Sequence, residues 1–284
     1  MNQVNNSWTE IISSKSNAFK INFKELIEYK DLLLMFVKRD FAATYKQTML
    51  GPLWFFIQPI LTTLMFTIVF GKFANLKTDV EPKFLFYFSG VVIWNYFSDC
   101  FLKTSTVFKD NAQLFGKVFF PRLIMPLSII VSSLLKFSIQ FLLFITLVLY
   151  YKFQIGSQIH PNINILFTPI YLLLMAGLAF GAGLIIAALT TKYRDLSFLV
   201  SFGVQLLMYA SPIIYSSTTI NPKFKFYIQL NPLTGVIESF RNSFLGTGKL
   251  EVYNLLYSFL FMMITIFFGL YLFNKVEQKF IDTV

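Results

Sequence analysis

The sequence predicts an all-α integral membrane protein with six transmembrane helices. Hydrophobic residues make up 56% of the 284-residue chain and charged residues only 13%, whereas soluble domains carry roughly 25% charged residues. Six apolar segments each reach the roughly 20 residues that a helix needs to cross about 30 Å of hydrocarbon, and they leave no room for a large soluble domain. The predicted spans lie near residues 51–73, 84–105, 123–150, 164–190, 196–215 and 252–274.

The distribution of Lys and Arg predicts that both termini are cytoplasmic. With the N-terminus inside, the inner segments carry 15 of the 24 basic residues and the outer segments carry eight, while Lys136 falls within the third span. Cytoplasmic loops of membrane proteins carry the excess of positive charge. The first 20 residues contain no apolar run behind a basic start, so we expect no cleavable signal peptide there.

Two regions are expected before the first span: a flexible polar leader over residues 1–18 and an amphipathic interfacial helix region over 19–47. In the second region apolar residues recur at intervals of three and four positions, with basic residues between them. Such a helix suits the cytoplasmic headgroup layer; packing on the protein's own underside is the alternative. Residues 48–284 are expected to form one transmembrane domain.

Two inner connections differ in kind. Residues 109–121 are predicted to form a short helix, with Asp110 or Asn111 as its cap, whereas residues 191–195 (TKYRD) form a tight charged turn. Short helices at the inner surface are elements that a cytoplasmic motor can push. The alternative is that both are simple loops.

The outer connection over residues 216–250 is the longest, and it contains the stretch NPLTGVIESFRNSFLG at 231–246. Asn231 and Pro232 are typical of a helix start, and Gly246 is typical of a left-handed helix end. A helix over 232–245 is only about 21 Å long by helix rise. We therefore predict short re-entrant helices that dip into the outer leaflet and return. Leu233, Val236, Ile237 and Phe240 would pack on the spans, while Glu238 and Arg241 would pair and face a wet mouth; a surface-lying helix is the alternative.

Several function classes are disfavoured by composition. With one cysteine, Cys100, and one histidine, His160, the chain offers neither a multi-cysteine or histidine metal site nor a Ser-His-Asp triad. GTGKL at 246–250 lacks the spacing of a phosphate-binding loop, so we expect no ATP hydrolysis and no cofactor in this chain. The net charge of +10 is assigned to contact with anionic lipid rather than nucleic acid.

Ionisable, aromatic and small residues within the spans are the remaining candidates. Asp99 and Lys103 lie one helical turn apart and are expected to pair, while Lys136 stands alone in the third span. Aromatic residues in the first two spans either pack against lipid or stack on sugar rings along a conduit. These candidate channel aromatics are Trp54, Phe55, Tyr87, Trp94 and Tyr96. A small-residue face on the fourth span is predicted to support close helix packing, and it comprises Ala176, Gly177, Gly181, Gly183 and Ala187.

Four ordered stretches resemble one known family, the permease subunits of ABC-2-type polysaccharide exporters. They are RDFAATYKQTMLGPLWFFIQPI at 39–60, KVFFPRLIMPLS at 117–128, TKYRDL at 191–196 and NPLTGVIESFRNSFLG at 231–246. The resemblance covers about residues 22–280. It implies a homodimeric channel in the bacterial inner membrane, which exports lipid-linked polysaccharide such as O-antigen, capsule or teichoic acid. Two copies of a separate P-loop ATPase would supply the ATP and Mg²⁺ chemistry.

The resemblance also implies roles for individual residues. The ATPase-coupling surface would contain Asn111, Leu114, Lys117, Phe119, Pro121, Arg122, Tyr193, Arg194 and Asp195. Lys38, Arg39 and Lys46 would receive the lipid diphosphate at the entrance, and Asn231, Pro232, Glu238 and Arg241 would form the outer gate. Two alternatives stay open at this point: a drug or lipid exporter of the same architecture, and a membrane glycosyl- or acyltransferase. The transferase would need a clustered base and metal ligands, which the scattered Asp99, Asp195 and Glu238 do not supply.

Overall fold

The computed structural model of the chain describes residues 23–45, 49–118, 120–154, 159–193, 195–248 and 251–281. Within these ranges every regular element is a helix, which confirms the all-α prediction for this part of the chain. The leader at 1–18 and three of the predicted site residues lie outside the described residues, namely Lys46, Phe119 and Arg194.

Five helices in the described part of the chain are long and apolar enough to cross a membrane. Their bounds agree with five of the predicted spans to within three residues, because each is a continuous apolar run between polar connections. The first combines α3 (Trp54–Phe66) with a 3-10 turn before it and a wider turn after it, and the fourth is α8 (Thr168–Lys192) with a preceding 3-10 turn. The five are Gly51–Phe73, Lys83–Ser105 (α4), Ile124–Lys152 (α7), Ile163–Lys192 and Val252–Glu277, the last lying within α12 (Val252–Ile281).

The fifth predicted span is shorter than expected. Its helix, α9, covers only Leu196–Ala210, 15 residues, which corresponds to about 22 Å by helix rise. Ser211 and then Pro212 follow, and the chain there turns and is buried. Since proline and its preceding residue disfavour helix continuation, the helix ends before the predicted position 215. A sixth crossing therefore stays a prediction.

The small-residue face of α8 lets three helices approach closely. A Cβ atom on Gly181 would lie 2.5 Å from the backbone nitrogen of Ile266 in α12. A Cβ atom on Gly183 would lie 2.8 Å from the side chain of Thr104 in α4. Side chains larger than hydrogen do not fit at these two positions, so the predicted role of this face in helix packing is confirmed.

The N-terminal helix α2 (Lys30–Tyr45), which follows α1 (Phe23–Glu28), lies beside α7. Phe36 and Val37 are buried in this contact, whereas Ile27 and Leu34 are exposed. The region therefore packs one side on the protein and leaves further apolar side chains uncovered, which is the arrangement expected for a helix beside a membrane surface.

Asp99 does not pair with Lys103 as predicted. Its carboxylate lies 2.6 Å from the Lys136 amine on the neighbouring helix α7. The same amine lies 5.7 Å from the ring centre of Phe55, near the inner end of α3. Lys136 therefore lies at the same level as the start of the first span. The first turns of α7 extend beyond this level and pack on α2. Pairing lowers the cost of both charges at that depth.

Candidate functional site

At the end of the membrane helices that is predicted to face outward, which we call the outer side, the helix α11 (Pro232–Leu245) begins and ends where the sequence predicts. The Asn231 side chain accepts a hydrogen bond from the backbone N–H of Leu233 at 3.0 Å, and Pro232 occupies the first turn. Gly246 adopts the left-handed conformation with φ of 76°. These caps satisfy backbone groups that would otherwise be orphaned at the two helix ends. The helix therefore has defined ends and does not continue toward α10 (Pro222–Gln229) or α12.

The burial of α11 contradicts the alternative of a surface-lying helix. Leu233, Val236, Ile237 and Phe240 are at most 2% exposed, as the packing prediction required. The opposite faces of the helix are buried as well, and among its residues Pro232 and Glu238 are half-buried. A helix enclosed on nearly all sides by α4, α8 and α12 belongs to the interior of the outer half of the protein.

Arg241 is a buried charge whose partners the sequence analysis did not identify. Its side chain donates hydrogen bonds to the carbonyl oxygens of Pro212 at 2.8 Å and Ile213 at 3.3 Å. The guanidinium carbon lies 3.8 Å from the ring centre of Phe86 in α4. Burial lowers the pKa of Arg241 to about 10, so the group remains a cation at neutral pH and is stabilised by carbonyl dipoles and an aromatic face.

The predicted ion pair between Glu238 and Arg241 is wrong in its geometry. Within the described residues these side chains do not come within the 4.0 Å of an ion pair. Glu238 instead accepts a hydrogen bond from the backbone N–H of Ser217 at 3.3 Å. Burial raises the pKa of the Glu238 carboxyl above its usual value, and the Ser217 hydrogen bonds and Arg241 oppose this shift. Glu238 and Arg241 nevertheless line the same cavity, so the two side chains lie in one part of the fold without forming an ion pair.

This outer cavity has a volume of about 370 Å³ and is lined by charged and hydroxyl-bearing side chains. Its further carboxylates are Asp79, from the first outer connection, and Glu251, directly before α12. Asp79 accepts hydrogen bonds from the hydroxyl groups of Ser216 and of Thr218, the latter at 2.7 Å. The sequence analysis missed Asp79, because a single acidic residue in a short loop carries no signal for a partner 139 positions away.

Three charged side chains thus converge on one short segment, residues 211–218, which follows α9. Arg241 and Glu238 reach it from α11, and Asp79 reaches it from the loop before α4. Asn231 adds a fourth contact, because its amide donates to the Ser211 hydroxyl at 2.9 Å. The arrangement fixes the outer end of α9 to α11 through directional bonds.

At the opposite end, which is predicted to be cytoplasmic and which we call the inner side, the predicted helix over 109–121 is replaced by two single turns, α5 (Val107–Asp110) and α6 (Ala112–Phe115). Asn111 lies between them, and its amide donates back to the carbonyl of Val107 at 3.0 Å. It therefore closes α5 and does not cap a longer helix through its side chain. Among the predicted coupling residues nearby, Lys117 is exposed, and Asn111, Leu114 and Pro121 are half-buried.

Arg122, another of the predicted coupling residues, is buried. Its guanidinium donates to the backbone carbonyl of Glu277 at 3.0 Å and lies 5.4 Å from the ring centre of Phe115. Arg122 therefore ties the inner connection to the end of α12. Burial lowers its pKa, and the nearby Glu277 carboxylate opposes the shift.

The two inner connections lie side by side. The Thr190 hydroxyl donates to the Ser105 carbonyl at 2.7 Å, and the Lys109 amine lies 3.4 Å from the Ser197 hydroxyl. Tyr193 and Asp195, at the second connection, are exposed. The fold thus places these two predicted coupling residues on the same inner surface as the first connection.

Five phenylalanine rings hold the inner connection in place. Phe108 stacks on Phe273 of α12 at 4.5 Å between ring centres, and Phe115 lies 5.7 Å from both Phe108 and Phe120. Phe36 of α2 completes the group at 5.6 Å from Phe120. All five are buried, so the interfacial helix, the inner connection and α12 share one aromatic cluster.

Four of the five candidate channel aromatics are buried within the chain itself. Phe55, Tyr87, Trp94 and Tyr96 are at most 5% exposed, whereas Trp54 is 47% exposed. A side chain enclosed within its own chain does not line a conduit in this conformation. The pattern of apolar residues along a span does not show which face contacts a neighbouring helix. The sequence therefore could not distinguish aromatic side chains buried within the chain from exposed ones.

The basic residues at the proposed entrance are accessible on α2. Lys38 and Arg39 are both exposed. The Arg39 guanidinium lies 2.8 Å from the carboxylate of Asp40 and 4.9 Å from the ring centre of Phe36. Arg39 is thus partly neutralised by its neighbour, while Lys38 presents its charge to the surroundings.

Comparisons with known proteins agree along most of the chain. Residues 31–245 match the family described as ABC-2 type transporter. The chain is 30% identical over 254 residues to the O-antigen export system permease protein RfbA of Klebsiella pneumoniae, covering 89% of this chain and 94% of that one. It is 28% identical to RfbA of Myxococcus xanthus, covering 78% and 83%. It is 23% identical to the polysialic acid transport protein KpsM of Escherichia coli, covering 86% and 93%. With this match and five apolar membrane helices, the chain is a multi-pass membrane protein that belongs to the ABC-2 type transporter family.

Proposed function

We propose that the chain is the channel-forming permease of an ATP-driven exporter of lipid-linked polysaccharide, of the O-antigen, capsule or teichoic acid type. Similarity over most of the chain to proteins named for O-antigen export and polysialic acid transport carries this proposal. The working unit is a homodimer in the bacterial cytoplasmic membrane, with both termini inside. The permease is not an enzyme, and two copies of a separate P-loop ATPase hydrolyse ATP with Mg²⁺.

The ATPase docks on the inner surface formed by the two adjacent connections. Exposed Lys117, Tyr193 and Asp195 supply contacts, and the neighbouring Phe119 and Arg194 belong to the same stretches of sequence. Movement of this surface reaches α12 and α2 through the phenylalanine cluster, because the cluster joins all three elements. Arg122 acts within this joint and does not touch the ATPase directly.

Substrate enters beside α2 and leaves past the outer segment. Lys38, Arg39 and Lys46 attract the diphosphate of the lipid carrier at the inner headgroup layer. The outer gate is the α10–α11 hairpin, whose turn at Asn231 and Pro232 re-enters the outer leaflet. Glu238, Arg241 and Asp79 hold this gate against the end of α9, and export requires these bonds to rearrange.

The proposed ATPase contact is tested by co-purification from the native host. A tagged chain should bring down a P-loop ATPase, and Lys117→Glu should weaken this capture at least tenfold while the permease still inserts and folds. Lys223→Glu is the matched control, since it reverses the charge of an exposed lysine in the outer segment and should leave capture unchanged. Equal capture by wild type and Lys117→Glu would remove Lys117 from the interface, and absence of any such ATPase from the wild-type complex would contradict the proposed function.

A further inference from the structure

The outer end of the first span is wound more widely than the rest of the span. Thr67–Phe73 forms a π-helix, in which an N–H group bonds to the carbonyl five residues earlier. The same spacing continues directly after it, because the Ala74 N–H donates to the Val69 carbonyl at 2.8 Å. We call Thr67–Phe73 the π segment. Such helices are rare and occur frequently at functional sites, so this one calls for a physical explanation.

A lysine from the next span holds the end of the π segment. The ammonium group of Lys83, the first residue of α4, donates to the Gly71 carbonyl at 2.9 Å. Carbonyl groups in the last turn of a helix lack partners within the helix, and a cation is favourable at this end of the helix dipole. A Cβ atom on Gly71 would lie 3.2 Å from the Cδ atom of Lys83. The glycine therefore leaves room for the lysine stem to pack against the segment that its ammonium group binds.

A second possible donor lies beside the same glycine. Tyr87, one turn further along α4, is fully buried, and within the described part of the chain its hydroxyl has no hydrogen-bond partner. A Cβ atom on Gly71 would lie 3.5 Å from the Cε2 atom of the Tyr87 ring, and the Phe66 ring packs edge-on against Tyr87 at 6.4 Å between ring centres. A buried polar group without a partner destabilises the fold that contains it. The Tyr87 hydroxyl is therefore a donor that another conformation can use.

We propose that the π segment is a two-state element, in which the Gly71 carbonyl exchanges its bond from Lys83 for a bond from the Tyr87 hydroxyl. In the present conformation Lys83 holds the wide winding, and Tyr87 makes no hydrogen bond. In the second state the segment rewinds into α-helical turns, Tyr87 donates to Gly71, and the released lysine amine is hydrated at the outer surface. The Gly71 carbonyl has a donor in both states, so neither state leaves this acceptor unsatisfied.

Rewinding turns the outer end of the first span about its own axis, because an α-helix and a π-helix differ in the number of residues per turn. Phe73, which is 83% exposed, and the exposed Lys72 move with this end and change what they face. The connection that follows carries Asp79, which accepts a hydrogen bond from Thr218. The rotation therefore reaches residues 211–218. The link between this element and transport rests on the proposed function, whereas the two states themselves do not.

The two states are measured with spin labels on the full chain in lipid vesicles. Cys100 is fully buried, so cysteines introduced by Lys72→Cys in the π segment and by Lys152→Cys at the exposed end of α7 can be labelled selectively. Labelled chains are diluted with unlabelled chains, so that pulsed dipolar spectroscopy reports distances within one chain. Rewinding moves position 72 and leaves position 152 in place. The second state therefore gives a second distance.

Two substitutions should shift the populations in opposite directions. Lys83→Met keeps the apolar stem and removes the donor, so the fraction of the second distance should rise at least threefold over wild type. Adding Tyr87→Phe to Lys83→Met removes the alternative donor and should lower that fraction at least threefold again. Lys77→Met is the matched control, because Lys77 is an exposed lysine of the same outer connection, and it should give the wild-type distances. A single unchanged distance in Lys83→Met, or an equal shift in Lys77→Met, would overturn the proposal.

Melting temperatures and export distinguish this role from a merely structural one. Tyr87→Phe removes a buried hydroxyl without a partner, so its melting temperature should equal or exceed that of wild type. Tyr171→Phe is the matched control: Tyr171 is equally buried, but its hydroxyl lies 3.2 Å from that of Ser243, and its loss should lower the melting temperature by a few degrees. A lower value for Tyr87→Phe than for Tyr171→Phe would overturn the proposal.

The link to transport predicts that Tyr87→Phe reduces export in the native host at least threefold although the protein stays folded. Full export by a Tyr87→Phe protein with shifted distances would overturn that link. Neither result bears on whether the wild-type chain exports polysaccharide, so failure of this inference and failure of the proposed function are distinguishable.

Discussion

The outer segment and the inner connection are held by different kinds of contact. At residues 211–218, the outer segment is fixed by hydrogen bonds that are donated by Arg241 and Asn231 and accepted by Glu238 and Asp79. The inner connection is fixed mainly by ring packing in the phenylalanine cluster around Phe108. Hydrogen bonds require particular atoms at particular positions, whereas apolar packing depends on volume and tolerates changes of shape. The outer side should therefore be intolerant of conservative substitutions that the inner side accepts.

This difference suits the proposed roles of the two sides. A gate needs a small number of discrete arrangements, and directional bonds to buried charges provide them because half-broken states leave polar groups unsatisfied. A joint that transmits movement among α2, the inner connection and α12 needs continuous contact. Packed rings maintain such contact while they slide over small distances.

Among conservative substitutions, the largest expected effect is from Arg241→Lys. The change preserves charge, but an ammonium group cannot reproduce the planar fork that reaches Pro212 and Ile213 or its position over the Phe86 ring. Buried carbonyls then lose donors, and we expect a loss of about 3 kcal/mol in the free energy of unfolding. Thermal melting of the purified protein in detergent measures it. The control is Lys225→Arg, at a half-exposed position of α10. Equal melting temperatures for Arg241→Lys and this control would contradict the view that directional hydrogen bonds determine the stability of the outer segment.

Asn231→Ala tests the turn of the hairpin. The substitution removes the N-cap of α11 and the hydrogen bond to Ser211, and we expect a loss of about 1.5 kcal/mol in the free energy of unfolding. Asn221→Ala is closely matched, since Asn221 caps α10 by the same bond to the N–H of Lys223 but is exposed. Asn221→Ala should lower the free energy of unfolding by about 0.5 kcal/mol. Equal losses from the two substitutions would show that the tie to α9 adds nothing to capping.

Phe108→Leu should be tolerated better than either outer substitution that disrupts a buried bond. Leucine retains most of the apolar volume, so we expect a loss of about 1 kcal/mol in the free energy of unfolding, measured by the same melting series. Phe108→Ala, which creates a cavity, should cost about 3 kcal/mol and establishes that the site is packed. A larger loss from Phe108→Leu than from Arg241→Lys would reverse the proposed contrast between the two sides.

The smallest effect concerns pH and Glu238. Burial raises the pKa of this carboxyl in the folded protein above its ordinary value of 4.5. The folded state therefore binds the proton more tightly, and this contribution to stability is present below pH 4.5 and is lost as pH rises through the raised pKa. Glu238→Gln keeps an acceptor for Ser217 but does not titrate. Its melting temperature relative to wild type should increase from pH 4 to pH 7; a decrease over the same interval would mean that the folded pKa is lowered.

Features set by local sequence were predictable, and features set by long-range contact were not. The five spans follow from continuous apolar runs, and the caps Asn231 and Gly246 follow from residues within one helix. Pro212 was a local signal for the end of α9, but a prediction of spans from hydropathy alone does not take the helix-ending effect of proline into account. The partners of Arg241, the role of Asp79 and the pairing of Asp99 with Lys136 arise between elements far apart in the chain. Side-chain type indicates that a buried charge needs partners, but it does not say which ones.

The proposed outward transport of finished lipid-linked polysaccharide is tested most directly by deleting the gene of this chain in the native host and measuring where the polymer accumulates. We expect loss of surface polysaccharide together with accumulation of lipid-linked polymer on the cytoplasmic side of the membrane, and restoration of export by wild type but not by Arg241→Lys. Undiminished surface polysaccharide would contradict an export role. Loss of surface polymer without any internal accumulation would indicate a part in synthesis instead, and would contradict an export role equally.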